Sequence, residues 1–217
     1  MASRQKRRLD ICVARTLLLF AQPIMLAAEK AISPAFADEP DWEPYFKQRR
    51  GSVVVKKLNI MRPAREAESD KGLDERIRHN RMPDGWIFPI IKVLRIDEIP
   101  QLEQVVRGEL SIVGPRPIPD ENREAYRNVL SADEYRKWLE IHDRPDLKKG
   151  LTGPNQLVVS RLDRMTPDDL RMEYERSMEY VTTANLRTDI AILGKTPFVL
   201  ASATGEHILN RAGKSTA

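Results

Sequence analysis

Two adjacent carboxylates, Asp97 and Glu98, are the strongest candidates for chemistry in this sequence. A helix pattern begins at Pro100, so both side chains are expected at or just before a helix N-terminus. Unpaired backbone N–H groups and the helix dipole favour negative charge there, which keeps an aspartate ionised and attracts phosphate oxygens. Adjacent carboxylates can share Mg²⁺, and an ionised carboxylate beside a metal-bound phosphoryl group can attack phosphorus. A plain aspartate N-cap is the alternative interpretation.

A single arginine, Arg116, follows Gly114 and lies between Pro115 and Pro117. The two prolines restrict the backbone, so the planar guanidinium is presented with little freedom to lose. Such a group suits bidentate binding of a phosphate. The same residues also fit a tight turn with a solvated arginine, and the sequence leaves both interpretations open.

A third candidate is the segment over residues 144–156, which reads RPDLKKGLTGPNQ. Basic groups, among them Arg144, precede two glycines, Gly150 and Gly153, which bracket the hydroxyl of Thr152. This pattern is typical of a loop that approaches a nucleotide phosphate closely. Taken alone it also fits an ordinary turn.

The composition excludes several classes of protein. Of the 217 residues, 41% are apolar and 31% are charged, which argues against a disordered chain and against several membrane spans. The one cysteine, Cys12, cannot form an internal disulfide, and the three histidines lack metal-ligand spacing. A basic cluster accounts for the net charge of +4, so no basic excess is left for nucleic-acid binding. Its members are Arg4, Lys6, Arg7 and Arg8.

An apolar segment over residues 11–28 follows the basic cluster and contains Arg15, Gln22 and Pro23. It falls slightly short of the roughly 20 apolar residues that cross a bilayer, and an internal proline kinks a helix. A helix that enters the membrane and returns on the same side fits this pattern, with the basic cluster at the cytoplasmic surface. A signal peptide ending at the Ala-Phe-Ala run of residues 35–37 fits as well, and so does a buried core helix.

The elements that position these candidates are mainly helical, with a small β element, so the predicted fold class is α+β. Two strands joined by a glycine turn are predicted over residues 45–60. Capping and periodicity predict helices over residues 99–108, 119–129 and 132–141, one from Thr166, and a last apolar segment over residues 186–200. Residues 64–84 are predicted to form a surface loop, and residues 86–94 a buried apolar segment. The predicted boundary separates residues 1–37 from one domain over residues 38–217.

Taken together and in this order, these residues resemble the bacterial sugar transferase family, the monotopic phosphoglycosyl transferases. The block over residues 96–117 (IDEIPQLEQVVRGELSIVGPRP) is highly specific, and KKGLTG at residues 148–153 follows with Gln156. Weaker similarity extends the match over nearly the whole chain, at residues 45–51, 57–61, 74–77 and 189–196. Such enzymes begin with a basic cluster and a proline-broken re-entrant helix, matched here by residues 6–23, so the resemblance favours that interpretation.

The resemblance implies a reaction. The family moves a phosphosugar from a nucleotide diphosphate sugar, typically a UDP-sugar, onto polyprenyl (undecaprenyl) phosphate, which starts polysaccharide synthesis. The reaction releases the nucleoside monophosphate. The implied location is the bacterial inner membrane, in contact with membrane lipid, with the catalytic domain facing the cytoplasm. The apolar segment over residues 186–200 could pack against a second copy of the chain, so a homodimer is one of the possible assemblies.

The resemblance also implies roles for particular residues. Asp97 is expected to be the nucleophile that forms a covalent phosphosugar intermediate, Glu98 to hold Mg²⁺ with it, and Arg116 to bind a phosphate. The further candidates for phosphate or substrate binding are Lys92, Arg144, Gly150, Thr152, Gly153 and Gln156.

Some positions depart from the family pattern. Asn59 replaces an arginine, Lys149 a proline, Pro154 a tryptophan and Lys92 an arginine. Two further hypotheses remain, of which the first is motivated by these departures. One is a divergent, weakly active or inactive relative that acts as a membrane-associated partner protein. The other, based on the N-terminal pattern, is a secreted protein with a cleaved leader.

Overall fold

The computed structural model describes residues 4–62, 83, 85–157 and 166–214. These residues are mostly helical and carry two small sheets, which confirms the predicted fold class. The helices are α1 (Arg4–Ile32), α2 (Ile87–Val93), α3 (Gln101–Arg107), α4 (Arg123–Val129), α5 (Ala132–Asp143), α6 (Pro167–Thr183) and α7 (Leu186–Lys214). The strands are β1 (Tyr45–Arg50), β2 (Val53–Leu58), β3 (Ser111–Val113) and β4 (Gly150–Thr152). The surface loop predicted over residues 64–84 lies outside the described residues, apart from Pro83.

Local signals account for where several helices begin and end. Ser131 and Glu134 form the predicted capping box of α5, and Thr166 forms a second one with Asp169 at the start of α6. Helix α3 ends at Gly108, whose φ of 84° lies in the left-handed region that glycine adopts readily. The helices predicted at these three places are confirmed.

The segment over residues 86–94, predicted to be buried, is only half buried. Its central residues form α2, in which Phe88 and Ile91 are buried and Ile90 is exposed, and the flanking residues Trp86 and Leu94 are exposed as well. The exposed residues are spaced four apart, so they lie on one face of the helix. This segment is apolar on both faces, and only one of the two faces is covered by the rest of the described structure.

Strands β1 and β2 form the predicted antiparallel hairpin, with Arg50 paired to Val53 next to the turn and Tyr45 paired to Leu58 at its base. Gly51 lies in the turn with a φ of 58°. A Cβ atom there would lie 2.7 Å from the backbone oxygen of His142. The turn therefore requires glycine for its conformation and for its contact with α5.

Strands β3 and β4 form a parallel pair that the sequence did not predict. The N–H of Ser111 donates to the oxygen of Lys149 at 2.8 Å, and the N–H of Gly114 donates to the oxygen of Thr152 at 3.0 Å. Each strand is only three residues long, so neither shows the alternation that marks a strand in sequence. The pair joins the Gly-Pro-Arg-Pro segment to the Gly-Leu-Thr-Gly segment.

Both ends of α1 pack on the rest of the protein, whereas its middle is exposed. Ala14 packs in a core with Val105 and Ile112, and Ile32 packs in a second core with Phe88. Between them, residues 15–24 include no buried side chain, and the exposed apolar side chains of this helix are Leu17, Leu19, Phe20, Ile24 and Leu26. Helix α1 includes Pro23 and is continuous from Arg4 to Ile32, so the structure does not show the predicted break.

The first turns of α1 are attached to the domain by polar contacts. Lys6 Nζ donates to the oxygen of Val113 at 2.8 Å and forms an ion pair with Asp189 at 2.6 Å. Arg7 donates to two backbone oxygens of α3. The buried carboxylate of Asp10 accepts bonds from the Ser111 hydroxyl and the Ile112 N–H. Lys6 and Arg7 are therefore bound within the protein, and Arg4 and Arg8 are the exposed members of the basic cluster.

Candidate active site

The acidic pair lies in a 3₁₀ turn, Ile96–Glu98, immediately before α3. Apolar side chains hold the turn on both sides, because Ile96 packs against the core that contains Phe88, while Ile99 packs against the core that contains Val105. Pro100 occupies the N-cap of α3 and no side chain caps it, so Asp97 is not the N-cap that the alternative interpretation required.

Arg95 precedes this turn in the left-handed conformation, with a φ of 54°. For a residue other than glycine this conformation costs about 1–2 kcal/mol. It accompanies a sharp change in chain direction, after which Arg95 Nη1 donates to Glu98 Oε2 at 3.0 Å. The strained residue is thus also a partner of the acidic pair.

Lys57 on strand β2 contacts both carboxylates. Its Nζ lies 2.7 Å from Glu98 Oε1 and 3.8 Å from Asp97 Oδ2. The three side chains are 12%, 13% and 19% exposed for Lys57, Asp97 and Glu98, so the cluster is largely shielded from water. Both oxygens of Glu98 are paired, one with Lys57 and one with Arg95, whereas Asp97 has the weaker contact.

Burial and nearby charges shift the pKa values of the two carboxylates in opposite directions. Burial raises the pKa of Asp97 to about 6, and the negative charge of Glu98 adds to this shift, while Lys57, Arg95 and Lys92 oppose it. Burial alone would also raise the pKa of Glu98, but Lys57 and Arg95 outweigh it and hold that pKa well below its usual range. The expectation that a helix N-terminus sets the charge state of Asp97 is therefore corrected, because burial dominates.

Lys92 and Arg50 bring further positive charge to the pair. Lys92 is exposed in the last turn of α2, and its charge lowers the pKa of Asp97. Arg50 ends strand β1, and its charge lowers the pKa of Glu98. Arg50 Nη1 also donates to the oxygen of Pro117 at 3.2 Å. Arg50 thus links the acidic turn to the segment that carries Arg116.

Arg116 is not a solvated surface arginine. Its side chain is 20% exposed, and its Nη1 lies 3.9 Å from Glu173 Oε1 on α6. It lies three residues after the end of β3, so the parallel strand pair constrains the position of its backbone. The oxygen of the neighbouring Pro117 accepts the bond from Arg50.

The glycines of the Gly-Leu-Thr-Gly segment meet protein backbone. A Cβ at Gly150 would lie 2.1 Å from the nitrogen of Gly114, and one at Gly153 would lie 2.2 Å from the oxygen of Gly114. The hydroxyls of Thr152 and Thr196 are 2.8 Å apart. These residues pack against the Arg116 segment and hold its backbone, and the predicted approach of this loop to a phosphate stays a prediction.

The two remaining candidates in this region differ in placement. Gln156 Nε2 donates to the oxygen of Leu151 at 3.5 Å, and its Oε1 is buried without a hydrogen-bond partner among the described residues. Arg144 is exposed and pairs with Asp146, and its oxygen accepts a bond from Ser52 at the hairpin turn. Arg144 thus lies beside the hairpin turn, and its role in phosphate binding stays a prediction.

Two positions that depart from the family pattern make structural hydrogen bonds. Lys149 is fully buried and its Nζ donates to the oxygens of Ile141 and Leu147, where α5 ends. Burial lowers its pKa to about 8. Asn59 follows strand β2 and its side-chain amide donates to the oxygen of Glu43 at 3.2 Å.

Sequence reasoning missed Lys57, Arg95 and Arg50 as site residues. Lys57 lies in the segment over residues 57–61 that carries weaker family similarity, and this was the signal available for it. Arg95 directly precedes the block over residues 96–117, but nothing in its neighbours indicates a left-handed conformation. Arg50 is a charged strand residue whose partners are distant in sequence.

The acidic pair supplies too few ligands for a metal site made of protein alone. Among the residues that the structure describes, no three acidic, histidine or cysteine side chains form a metal-binding group. Mg²⁺ at phosphoryl-transfer sites is commonly held by one or two carboxylates, with phosphate oxygens and waters as the other ligands. Asp97 and Glu98 are the two carboxylates that could take part in such an arrangement, and Lys57 now occupies one oxygen of Glu98.

The family model described as bacterial sugar transferase matches residues 1–203. The UDP-glucose:undecaprenyl-phosphate glucose-1-phosphate transferase of Caulobacter vibrioides is 29% identical over 201 residues, covering 88% of this chain and 68% of that protein. The undecaprenyl-phosphate glucose phosphotransferase of Komagataeibacter xylinus is 29% identical over 192 residues, covering 87% of this chain and 34% of that protein. The exopolysaccharide production protein ExoY of Rhizobium meliloti is 33% identical over 213 residues, covering 88% of this chain and 83% of that protein.

This match spans both cores, the acidic turn and the strand pair that carries Arg116. It confirms the predicted family and the predicted class of enzyme, a transferase. The chain belongs to the bacterial sugar transferase family.

Proposed function

We propose that this protein transfers a phosphosugar from a UDP-sugar to undecaprenyl phosphate, with Asp97 as the nucleophile. The observation that carries the proposal is the unequal state of the two carboxylates. The negative charge of Glu98 is balanced by ion pairs with Lys57 and Arg95. Asp97 is buried beside them, and its charge is less well balanced because Lys57 lies farther from it. The names of the relatives support the substrates, since they describe transfer of sugar phosphates from UDP-sugars to undecaprenyl phosphate.

The reaction takes two steps. A carboxylate oxygen of Asp97 attacks the sugar-bearing phosphorus, the bond from that phosphorus to the bridging oxygen breaks, and UMP leaves. A phosphate oxygen of undecaprenyl phosphate then attacks the same phosphorus, the bond to Asp97 breaks, and the carboxylate is restored. The products are UMP and the polyprenyl diphosphate sugar.

The surrounding cations suit phosphate binding. Lys57, Arg95, Lys92 and Arg50 all act electrostatically on the acidic pair, so positive charge outweighs negative charge in its vicinity. In this proposal the ammonium of Lys57 moves from Glu98 to a phosphate oxygen. Arg116, in the segment after β3, donates hydrogen bonds to the diphosphate. Asp97 and Glu98 would then hold Mg²⁺, which when bound offsets the charge on the phosphate oxygens.

Helix α1 supports a membrane location in which the helix enters one leaflet and returns. The segment Arg4–Phe36 is long and apolar enough to cross a bilayer. Because both of its ends pack on the same domain, a crossing would require that domain to lie on both sides of the membrane. The exposed apolar residues of its middle and of α2, such as Phe20 and Trp86, suit the lipid of the inner membrane, with the domain in the cytoplasm.

The decisive experiment compares the wild-type protein with Asp97→Asn in vesicles that contain undecaprenyl phosphate, Mg²⁺ and a panel of UDP-sugars. UMP release should fall at least about 1,000-fold in the variant, because an amide is a poor nucleophile. Intact-mass measurement without acceptor should show a phosphosugar adduct on the wild type alone. Arg8→Gln, an exposed position on α1, is the control for the preparation. Full activity of Asp97→Asn would refute the mechanism.

The other hypotheses are distinguished by the same preparation. If the well-folded wild type released no UMP with any UDP-sugar, the divergent, inactive partner protein would be favoured instead. If the mature protein began at Asp38, a cleaved leader would be established and the membrane model would fail. The buried contacts of Asp10 and Lys6 argue against such cleavage, because it would expose β3.

A further inference from the structure

A buried polar cluster that the proposed chemistry does not use surrounds Glu173 on α6. Glu173 is 6% exposed, and its Oε2 accepts a hydrogen bond from the Tyr126 hydroxyl at 2.7 Å. Its Oε1 accepts one from Asn155 Nδ2 at 3.4 Å and lies 3.9 Å from Arg116 Nη1. Asn155 Nδ2 also donates to the Ser177 hydroxyl at 2.8 Å.

A carboxylate in this position requires a partner of opposite charge. Removing an ionised carboxylate from water is unfavourable unless it is paired and hydrogen-bonded. Tyr126 and Asn155 are neutral donors, so they satisfy the oxygens without balancing the charge. Among the described contacts of Glu173, Arg116 supplies the positive charge. The cluster is thus built around this pair.

The cluster holds the guanidinium of Arg116 while the strands hold its backbone. Tyr126 is itself fixed, because its ring stacks on Trp138 with centroids 4.5 Å apart. At 3.9 Å the contact between Arg116 and Glu173 is longer than a hydrogen bond, so it restricts the arginine without consuming its N–H groups. The exposed fifth of the Arg116 side chain remains available to a ligand.

We propose that Glu173 is a positioning residue, which orients Arg116 for binding the diphosphate of the nucleotide sugar. This inference rests on the proposed function, and Glu173 itself does not touch the substrate. Its effect is transmitted through Arg116, so it must disappear when Arg116 is absent.

A double-mutant cycle tests this dependence, using Glu173→Gln, Arg116→Ala and the combination. In the UMP-release assay, Glu173→Gln should raise KM for the UDP-sugar about tenfold with a smaller change in kcat, because the arginine loses its orientation before chemistry begins. In the Arg116→Ala background, Glu173→Gln should change KM less than twofold. Equal effects in both backgrounds would show a merely structural role and overturn the proposal.

Two further variants separate orientation from folding. Glu173→Asp keeps the charge and should restore part of the lost affinity. Glu175→Gln removes the same charge from an exposed position of the same helix, and it should leave KM and Tm unchanged. An unchanged KM in Glu173→Gln would overturn the proposal.

Binding of UDP, measured by calorimetry without turnover, distinguishes failure of this inference from failure of the proposed function. If the wild type binds UDP but releases no UMP, the proposed reaction fails, while weaker UDP binding by Glu173→Gln still supports the positioning role. Equal UDP binding by the two proteins overturns the positioning role alone. Absence of UDP binding by the wild type overturns both.

Discussion

At the scale of single residues, Asp97 and Glu98 show how one dipeptide acquires two different roles. Lys57 lies 2.7 Å from Glu98 and 3.8 Å from Asp97, and Arg95 pairs with Glu98 alone. Glu98 therefore stays ionised, and its charge helps burial to raise the pKa of its neighbour. A carboxylate with a raised pKa is also more basic and hence a better nucleophile, provided that it is ionised at the working pH.

The pH dependence of the first step should report this raised pKa. Burial raises the pKa of Asp97 to about 6 in the protein without Mg²⁺, so below that pH it is protonated and loses its nucleophilic oxygen. In metal-free protein, the titration of the Asp97 carboxyl followed by carbon-13 NMR should inflect near 6, and the rate of the UMP burst, measured with Mg²⁺ and without acceptor lipid, should rise with pH. Lys92→Met should move the inflection upward, because the charge of Lys92 lowers this pKa. An inflection near the ordinary aspartate value of 3.8 would contradict the assignment.

At the scale of elements, the parallel pair of β3 and β4 decides where Arg116 lies. Lys6 and Asp10 of α1 bond to β3 from one side, and β4 bonds to it from the other. Gly114, Gly150 and Gly153 let the two backbones approach more closely than any side chain would allow. The strand that precedes Arg116 is thus held by two separate parts of the chain, α1 and β4.

Adding one methyl group at Gly150 should separate the two strands. Its Cβ would lie 2.1 Å from the nitrogen of Gly114, which belongs to the backbone and cannot rotate away. Gly150→Ala should lower the free energy of unfolding by about 2 kcal/mol or more, within or above the usual range for overpacking. Urea denaturation followed by circular dichroism measures this change.

Gly194→Ala is the matched control for that experiment. Gly194 lies in α7, and a Cβ there would meet nothing within 4 Å. The same substitution should stabilise the protein by up to about 1 kcal/mol, because alanine favours a helix over glycine. Equal effects of the two substitutions would show that the close approach of β3 and β4 is not required.

At the scale of the whole molecule, α1 joins the apolar surface to the acidic turn. Its two ends belong to the two cores that hold Ile99 and Ile96 on either side of Asp97 and Glu98. The packing of both helix ends therefore fixes the position of the exposed middle of α1 relative to Asp97 and Glu98. A lipid phosphate at the headgroup plane could then reach Asp97 while its chain remains in the bilayer.

Charges placed on the exposed middle of α1 should release the protein from membranes. The double variant Leu19→Asp/Phe20→Asp changes side chains that are 72% and 66% exposed. An aspartate in the bilayer core costs about 2.5–3.5 kcal/mol, so co-sedimentation with phospholipid vesicles should fall at least tenfold. Met172→Asp, an exposed apolar position on α6, should sediment like the wild type. Unchanged sedimentation of the double variant would show that this surface does not bind lipid.

Features that depend on neighbouring residues could be predicted from the order of amino acids alone. Capping boxes at Ser131 and Thr166, the glycine end of α3 and the hairpin around Gly51 follow from contacts within a few positions, so local patterns predict them. The acidic pair and Arg116 were also identified from residue types and spacing. The residues that surround them became known only from the folded chain. Lys57, Arg95 and Glu173, the pairing of β3 with β4 and the burial that raises the pKa of Asp97 all depend on contacts between distant segments, which form only when the whole chain packs.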